Sequence, residues 1–523
     1  MIYGFVFLPL CLAAYQIAPQ RWRKRVLLIF SWIFFWLLSR GLIVYLLGTT
    51  VFVHCIGIWL EWLKSEQKAE LGTAGKGEKK KIKAIYQKKS RYVLAFGVLA
   101  LLGILAYLKY YNFFVSNVNG IFGSVLPFTL AEKKILMPIG ISFYTLQAIG
   151  YMADVYWGKI RAEENLEKTA LFLAFFPQIM EGPICRYQDT ADALCEGRPL
   201  DTDNLTKGYI RIFWGLFKKR IIADRLAIAV GMIFDNYTSY SGAYIAVGAV
   251  AYTVQLYMEF SGCMDIIIGS GELFGVRLPE NFRQPFCARS AAEFWRRWHI
   301  TLGTWFKTYI FYPVSMSGPV KKWNQYGRKH FGKYITMLGT SAMALFPVWL
   351  CNGLWHGARW SYIFYGMYYF TLILLGIAVE PVRDRILEFL HIGEKSAGLR
   401  LMRIAKTWVI IFVGELFFRA DGLRAGVYMF RSMFDHFDLS IFTDGSLLNL
   451  GMSRADIIAV MAGCVAVAVV GSIKERGTDI RQSILQKPVV IRWGICYALM
   501  LAVIIISAYG DGYQAVDMIY AGF

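Results

Sequence analysis

Charged residues and paired cysteines are scarce in this sequence, and each shortage excludes a class of protein. Only 18% of the 523 residues are charged and 57% are hydrophobic, which is too apolar for an ordinary soluble domain and indicates a membrane protein. The nine cysteines include no CxxC pair, so neither a disulfide framework nor a metal cluster is indicated. Motifs for a serine nucleophile elbow, a phosphate-binding loop and a dinucleotide-binding fold are also missing.

Long apolar stretches run through the whole chain. They begin near residues 2, 25, 46, 92, 135, 207, 242, 334, 359, 404, 454 and 490. Since a helix needs roughly 20 residues to cross hydrocarbon, the pattern predicts an all-α polytopic membrane protein with about eleven or twelve transmembrane helices. We interpret it as one integral membrane domain, with N-terminal helices in 1–160, a catalytic core with re-entrant segments in 161–380 and C-terminal helices in 381–523.

The basic residues predict the orientation of the chain in its membrane. The first apolar stretch, 2–18, is followed by four basic residues at 21–25, which is the reverse of a cleaved signal peptide. Ten basic and three acidic residues lie between 64 and 91. Because short basic loops stay in the cytoplasm, near anionic lipid, we expect both clusters there and the N-terminus outside. No nucleic-acid partner is needed to explain the net charge of +20.

Residues 162–187 form an apolar stretch that is too interrupted for a membrane-crossing helix. Pro177, Gly182 and Pro183 break helical structure, and Arg186 adds charge. Non-helical backbone survives at membrane depth only where protein or a water-filled cavity satisfies its polar groups. We therefore predict a re-entrant segment beside a cavity.

A polar insert with many arginines and aromatic residues lies at 260–313. Its spacing predicts one apolar helical stripe, formed by Trp295, Trp298 and Leu302, and an adjacent face, formed by Arg296, His299 and Gly303. Asp265 follows a strongly apolar run. We interpret it as half of a structural ion pair with a nearby arginine, because a carboxylate at membrane depth needs a partner.

Two of the six histidines are candidates for chemistry. His299 and His356 each follow a tryptophan and lie within or beside apolar sequence. Imidazole titrates near neutral pH, so either ring could transfer a proton. Both could equally be interfacial histidines beside tryptophans of the aromatic belt, and the residues alone leave the two interpretations open. Asn352, Gly353 and Gly357 favour function near His356, because they suit a backbone that approaches a ligand closely.

A metal centre is disfavoured. The two histidines are 57 positions apart, and neither a third ligand nor HExxH-type spacing accompanies them.

Several motifs together resemble the membrane-bound O-acyltransferase superfamily. They are Glu280-Asn281-Phe282, EFWRRWH at 293–299, Thr304-Trp305-Phe306 and LWHGA at 354–358. The resemblance extends over nearly the whole chain through Gly182-Pro183 with Arg186-Tyr187, Phe260-Ser261-Gly262 with Asp265, and Phe417-Phe418-Arg419-Ala420. The chain is similar to a bacterial branch that includes the alginate O-acetylation protein and the membrane protein of teichoic-acid D-alanylation. The helices after residue 400 favour the alginate type.

The resemblance implies a ring of tilted helices around a tunnel that reaches His356 from both sides of a bacterial plasma membrane. It implies acetyl-CoA as a cytoplasmic thioester donor and an acceptor hydroxyl outside the cell, on a polysaccharide or a partner protein. It implies no bound cofactor. His356 is then the general base, and His299 orients the donor or protonates the leaving sulfur. The candidates to line the tunnel are Trp355, Asn352, Trp298, Arg296, Asp265 and Arg186.

Two departures from the family pattern leave the acceptor open. Cys263 and Met264 stand where the family usually shows Tyr and Ser, and Arg359 replaces a small polar residue. Three alternatives also remain: transfer of D-alanine or another acyl group from a carrier protein to teichoic acid, a transporter, and a non-catalytic scaffold. A transporter moves substrate without consuming a thioester, and a scaffold tolerates loss of both histidines.

Overall fold

The computed structural model describes residues 3–122 and 129–509. Within these ranges the chain forms helices joined by turns and loops, without any strand, which confirms the all-α prediction. The α-helices are α1 Leu8–Ile17, α2 Gln20–Ser39, α3 Ile43–Thr73, α4 Lys79–Phe122, α5 Ile141–Trp157, α6 Leu166–Ala174, α7 Tyr187–Glu196, α8 Thr202–Phe217, α9 Asp224–Asp235, α10 Ala243–Leu273, α11 Ala291–Arg297, α12 Ile300–Phe306, α13 Tyr312–Ser315, α14 Gly318–His330, α15 Gly332–His356, α16 Trp360–Ala378, α17 Glu380–Phe389, α18 Ala397–Arg419, α19 Leu423–Ser432, α20 Arg454–Glu475, α21 Ile480–Leu485 and α22 Val489–Ile506.

Short 3₁₀ or π turns link several of these helices. They occupy Tyr3–Phe7, Arg40–Leu42, Lys218–Ala223, Tyr237–Ser239, Pro285–Cys287, Lys307–Phe311, Ser440–Phe442 and Ser446–Leu450. The start of the predicted apolar stretch at residue 2 and the end of the predicted C-terminal section, 510–523, lie outside the described residues.

Six segments of the described chain are long and apolar enough to cross a membrane. They are Gln20–Thr73, Lys79–Phe122, Gly332–His356, Trp360–Ala378, Arg454–Glu475 and Val489–Ile506. In α22, Val490 and Ile505 are 83% and 73% exposed, and apolar surface of this kind indicates contact with lipid or protein. These segments support a multi-pass membrane protein, whereas the number of eleven or twelve crossings stays a prediction.

The chain divides into two compact units. The first comprises Met1–Gly208 with Ile267–Pro279, and the second comprises Tyr209–Ile266 with Glu280–Phe523. Ile267–Pro279 packs with residues far earlier in the sequence, and the three predicted sections stay predictions. That the chain functions as a single domain stays a prediction.

In the first unit, the basic stretch 64–91 is not the loop that its charge pattern predicted. α3 continues to Thr73 and α4 already begins at Lys79, so nearly all of these basic residues lie on helices. Lysine and glutamate favour helical structure, and only the glycine-containing turn between the two helices interrupts it. Most of the charged side chains are exposed, and their membrane side stays a prediction.

The predicted break within 162–187 is confirmed. α6 ends at Ala174, and the mostly buried chain then runs without α-helix until α7 begins at Tyr187. The backbone N–H of Phe176 donates to Ser31 Oγ over 3.1 Å. Such partners satisfy buried backbone where no helix does so, as the bilayer would require. The depth of this segment in the membrane stays a prediction.

The second unit carries both candidate histidines, and its helices α15 and α16 pack with their backbones in contact. A Cβ atom on Gly353 would lie 2.4 Å from the carbonyl oxygen of Tyr362, and one on Gly366 would lie 2.3 Å from that of Trp349. Real Cβ atoms do not approach a carbonyl so closely, so glycine at these two positions permits the helix contact. This contact determines where the end of α15 lies.

Candidate active site

His356 is the last residue of α15, and only 3% of its surface is exposed. Asn352 lies one helical turn earlier, on the same face of the helix, and is 5% exposed. A Cβ atom on Gly357 would lie 2.5 Å from the ring of Tyr362. Gly357 therefore allows this tyrosine to pack against the end of the helix, beside the imidazole.

Aromatic rings from three helices surround the imidazole of His356. Its ring centroid lies 5.1 Å from Trp355 on α15, 6.0 Å from Tyr365 on α16 and 5.1 Å from Phe418 on α18. The interplanar angles of 75° to 89° are those of edge-to-face contacts. The three rings restrict the orientation of the imidazole and limit the access of water to it.

His299 lies between α11 and α12, in a left-handed backbone conformation with φ 47° and ψ 51°. It is 1% exposed, and its ring contacts Phe260 at 4.9 Å and Trp355 at 5.6 Å. His299 lies outside the candidate membrane spans. Burial lowers the pKa of His299 to about 3, because the charged form loses its hydration. The ring is therefore uncharged near neutral pH.

Trp355 brings the two histidines into one site. Its indole contacts the His299 ring at 5.6 Å and the His356 ring at 5.1 Å. Two imidazoles 57 positions apart in sequence thus lie against the same buried side chain. A reacting group placed beside this indole would be close to both rings.

Asn281 holds the turn that carries His299. The side chain of Asn281 is fully buried, and its Oδ1 accepts hydrogen bonds from the Thr301 N–H at 3.0 Å and the Thr301 hydroxyl at 2.9 Å. The same oxygen lies 3.3 Å from His299 Nδ1. The backbone carbonyl of Asn281 accepts from the Ile300 N–H at 3.0 Å. These bonds satisfy the first amides of α12, which starts directly after His299.

An ion cluster lines the same cavity as Asn281. Arg211 on α8 donates to Asp265 at 2.9 Å and to Glu280 at 2.6 Å, and Lys218 also pairs with Asp265. The ion pair that the sequence predicted for Asp265 is confirmed. Together with Asn281, these side chains line an open cavity in the second unit.

The sequence of the chain matches the family model described as MBOAT, membrane-bound O-acyltransferase family, over residues 164–327. It is also 34% identical over 470 residues to the probable alginate O-acetylase AlgI of Pseudomonas syringae pv. tomato, covering 89% of this chain and 79% of that protein. The chain belongs to the membrane-bound O-acyltransferase family. It is therefore an O-acyltransferase, which decides against the transporter and the non-catalytic scaffold.

Two further relatives of this membrane-bound O-acyltransferase carry names with other acceptors. The peptidoglycan O-acetyltransferase of Helicobacter pylori is 31% identical over 373 residues, covering 66% of this chain and 64% of that protein. The teichoic acid D-alanyltransferase of Bacillus subtilis is 26% identical over 303 residues, covering 53% of this chain and 71% of that protein.

One prediction about the polar insert of this membrane-bound O-acyltransferase is wrong. The stripe of Trp295, Trp298 and Leu302 assumed one continuous helix, but α11 ends at Arg297 and α12 starts at Ile300. Arg296 is exposed whereas His299 is buried, so the two do not share a face. The left-handed conformation of His299 interrupts the helix, and the hydrogen bonds of Asn281 begin a new one.

The remaining predicted residues of the enzyme lie in different surroundings. Trp298 is buried and stacks on Phe294 at 5.3 Å. Asn352 is buried, and its Oδ1 accepts no hydrogen bond from the described residues. Arg186 is half-buried in the first unit, directly before α7. The roles of these residues, and of Arg296, stay predictions.

Among 3–122 and 129–509, no group of three or more His, Cys, Asp or Glu side chains could hold a metal ion.

Two polar residues of the enzyme were not predicted from the sequence. Asn281 belonged to a recognised motif but was given no role. Glu415 on α18 is fully buried and accepts a hydrogen bond from the Tyr365 hydroxyl at 2.8 Å, and the Tyr365 ring contacts His356. An acidic residue inside the apolar run of α18 was the available signal, because such residues in membrane proteins need partners.

Proposed function

We propose that this enzyme transfers an acetyl group from acetyl-CoA, supplied by the cytoplasm, to a hydroxyl outside the cell, in the acetylation of a cell-surface polysaccharide. The hydroxyl belongs either to the polymer or to an extracytoplasmic partner protein that passes the acetyl group on. The enzyme lies in the bacterial plasma membrane with its N-terminus outside. The names of the alginate and peptidoglycan relatives support an acetyl group and a glycan acceptor.

The observation that carries this proposal is the contact of the Trp355 indole with both imidazoles. Acyl transfer to a hydroxyl needs a base to remove a proton and a second group to hold the other reactant. A buried pair of imidazoles on one indole supplies both functions without a metal ion or a covalent nucleophile.

In the proposed reaction, His356 removes the proton of the acceptor hydroxyl while the oxygen attacks the thioester carbonyl. The new C–O bond forms, the C–S bond breaks, and its electron pair leaves with the sulfur. The proton held by His356 then returns to the thiolate, directly or through His299, so the products are an ester and a thiol. A general base typically contributes about 10² to 10⁴-fold, and the surrounding aromatic rings add positioning.

The test follows radiolabelled acetyl-CoA added to the cytoplasmic side of oriented vesicles that contain the acceptor polysaccharide on the other side. Wild-type enzyme should move label across the membrane into the polysaccharide or a supplied partner protein, and His356→Ala should not. The exposed His330 provides the control, and His330→Ala should keep the wild-type rate. Equal transfer by wild type and His356→Ala would refute the role of His356.

Transfer of D-alanine is the second candidate, because the Bacillus subtilis relative is named a teichoic acid D-alanyltransferase, and we propose a carrier protein as the donor for that reaction. The same vesicles should be supplied with D-alanyl carrier protein instead of acetyl-CoA. Transfer from the carrier protein, without transfer from acetyl-CoA, would replace the proposed donor and leave the assignment of His356 standing.

A further inference from the structure

The orientation of the Asn281 amide is determined by its neighbours. The backbone N–H of Thr301 lies 3.0 Å from the side-chain atom assigned as Oδ1. A backbone N–H can only donate a hydrogen bond, so the atom that it reaches must be the oxygen and not the amide nitrogen. The Thr301 hydroxyl, at 2.9 Å from the same atom, fits this assignment.

This oxygen in turn determines which nitrogen of His299 carries the hydrogen. His299 Nδ1 lies 3.3 Å from Asn281 Oδ1. Because the oxygen can only accept, Nδ1 must donate, and a bare Nδ1 would place two lone pairs against each other. The uncharged ring then has no hydrogen on Nε2, which is left as a hydrogen-bond acceptor.

The surroundings keep the ring in this position. Phe260 and Trp355 contact the imidazole at near-perpendicular angles of 79° and 70°. The left-handed backbone of His299 is costly for a residue with a Cβ atom, and the bonds of Asn281 to the first amides of α12 stabilise it. Such backbone strain persists where the surrounding structure over-determines it, often at functional sites.

We infer that Asn281 is a positioning residue that holds His299 with Nε2 unprotonated, so that His299 accepts a hydrogen bond from an N–H or O–H group of a substrate. This inference rests on the proposed function of the site. It also decides between the two roles that remained for His299. An unprotonated Nε2 has no proton to give to the leaving sulfur, so His299 orients a substrate and the proton returns to sulfur from His356.

Two substitutions of His299 distinguish acceptance from proton donation. A glutamine side chain places an amide near the position of Nε2, whereas an asparagine side chain places it near Nδ1. Acetyl transfer from acetyl-CoA should fall by no more than about tenfold in His299→Gln, the value of one weakened hydrogen bond, and by about 100-fold in His299→Asn and His299→Ala. Equal loss in all three variants would overturn the acceptor role, since none of them can act as an acid.

The tautomer itself is measured by ¹⁵N NMR of ring-labelled histidine in the full-length protein, with His299→Gln used to assign the signal. Wild type should show Nδ1 protonated and Nε2 bare, and Asn281→Ala should lose this preference. Asn281→Asp keeps an acceptor oxygen and should therefore keep the preference for protonation at Nδ1. The exposed Asn236 supplies the control, and Asn236→Ala should leave the spectrum unchanged. A wild-type His299 protonated at Nε2, or a spectrum unaffected by Asn281→Ala, would overturn the inference.

The same preparations separate this inference from the proposed function. If His356→Ala retains acetyl transfer while the His299 spectrum is as expected, only the proposed base is wrong. If His356→Ala is inactive while Asn281→Ala leaves the tautomer unchanged, only the role of Asn281 is wrong.

Discussion

His356 and His299 contact the same indole ring, yet different groups surround them. Rings from α15, α16 and α18 pack around His356, whereas His299 also lies against the side-chain oxygen of Asn281. An aromatic ring restricts the position of an imidazole but does not select one of its tautomers, whereas an amide oxygen does. We therefore expect His299 to hold a substrate by a hydrogen bond of fixed direction, whereas the proposed mechanism assigns proton transfer to His356.

The largest expected difference in kcat between the two sites appears when each histidine is replaced by glutamine. His356→Gln should lose about 10² to 10⁴-fold in kcat, because glutamine cannot act as a base, whereas His299→Gln should lose no more than about tenfold. The measurement is acetyl transfer by purified enzyme, with the exposed His330 replaced in the control His330→Gln. Equal losses at positions 356 and 299 would remove the difference between the two histidines.

Replacement of Trp355 tests whether the two histidines depend on one shared contact. Trp355→Ala removes the ring that touches both imidazoles and should lower kcat by about 100-fold, because small displacements of catalytic groups have effects of this size. Trp355→Phe keeps part of the contact and should lose less. Trp493→Ala, at a 49% exposed tryptophan, should keep the wild-type kcat. If Trp355→Ala is as active as Trp493→Ala, the two histidines do not depend on their shared contact with Trp355.

A smaller effect is expected at the contact between α15 and α16, which positions the helix end that carries His356. Gly353→Ala forces a Cβ atom toward the Tyr362 carbonyl and should destabilise the protein by about 1 to 3 kcal/mol. Gly376→Ala is the matched control, because no atom lies within 4 Å of the added Cβ atom. Thermal unfolding in detergent measures both, and Gly376→Ala should keep or raise the wild-type Tm. A lower Tm in both variants would contradict the explanation that a Cβ atom at position 353 disturbs the contact between α15 and α16.

The smallest effect concerns the response of His299 to acid. Its pKa of about 3 in the folded protein lies below the usual value near 6.5. As the pH is lowered, the unfolded chain therefore binds a proton at His299 before the folded protein does. Stability should therefore fall as the pH drops below about 6.5, and His299→Gln should lose less Tm than wild type between about pH 7 and pH 5. An equal drop in Tm for the two proteins would show that the burial of His299 does not contribute.

Parts of the site could be predicted because their signals are local. Trp355, His356 and Gly357 follow one another in sequence, and the apolar run before them predicts the helix that ends there. The acidic charge of Asp265 required a partner, and the structure provides Arg211 and Lys218. The stripe through Trp298 failed for the opposite reason, because residues elsewhere in the chain impose the left-handed turn at His299.

The amino-acid sequence by itself determined the helical, membrane-embedded character of this enzyme and the break after α6, and it made His299 and His356 the candidates for proton transfer. These features follow from the lengths of apolar runs, from prolines and glycines, and from a short list of residues able to transfer protons. Only the tertiary structure decided that His299 and His356 contact one indole and that Asn281 holds His299. The reason is physical: the contacts of His299 with Asn281 and Trp355 join residues 18 and 56 positions apart, and packing stabilises a backbone conformation that local preference disfavours.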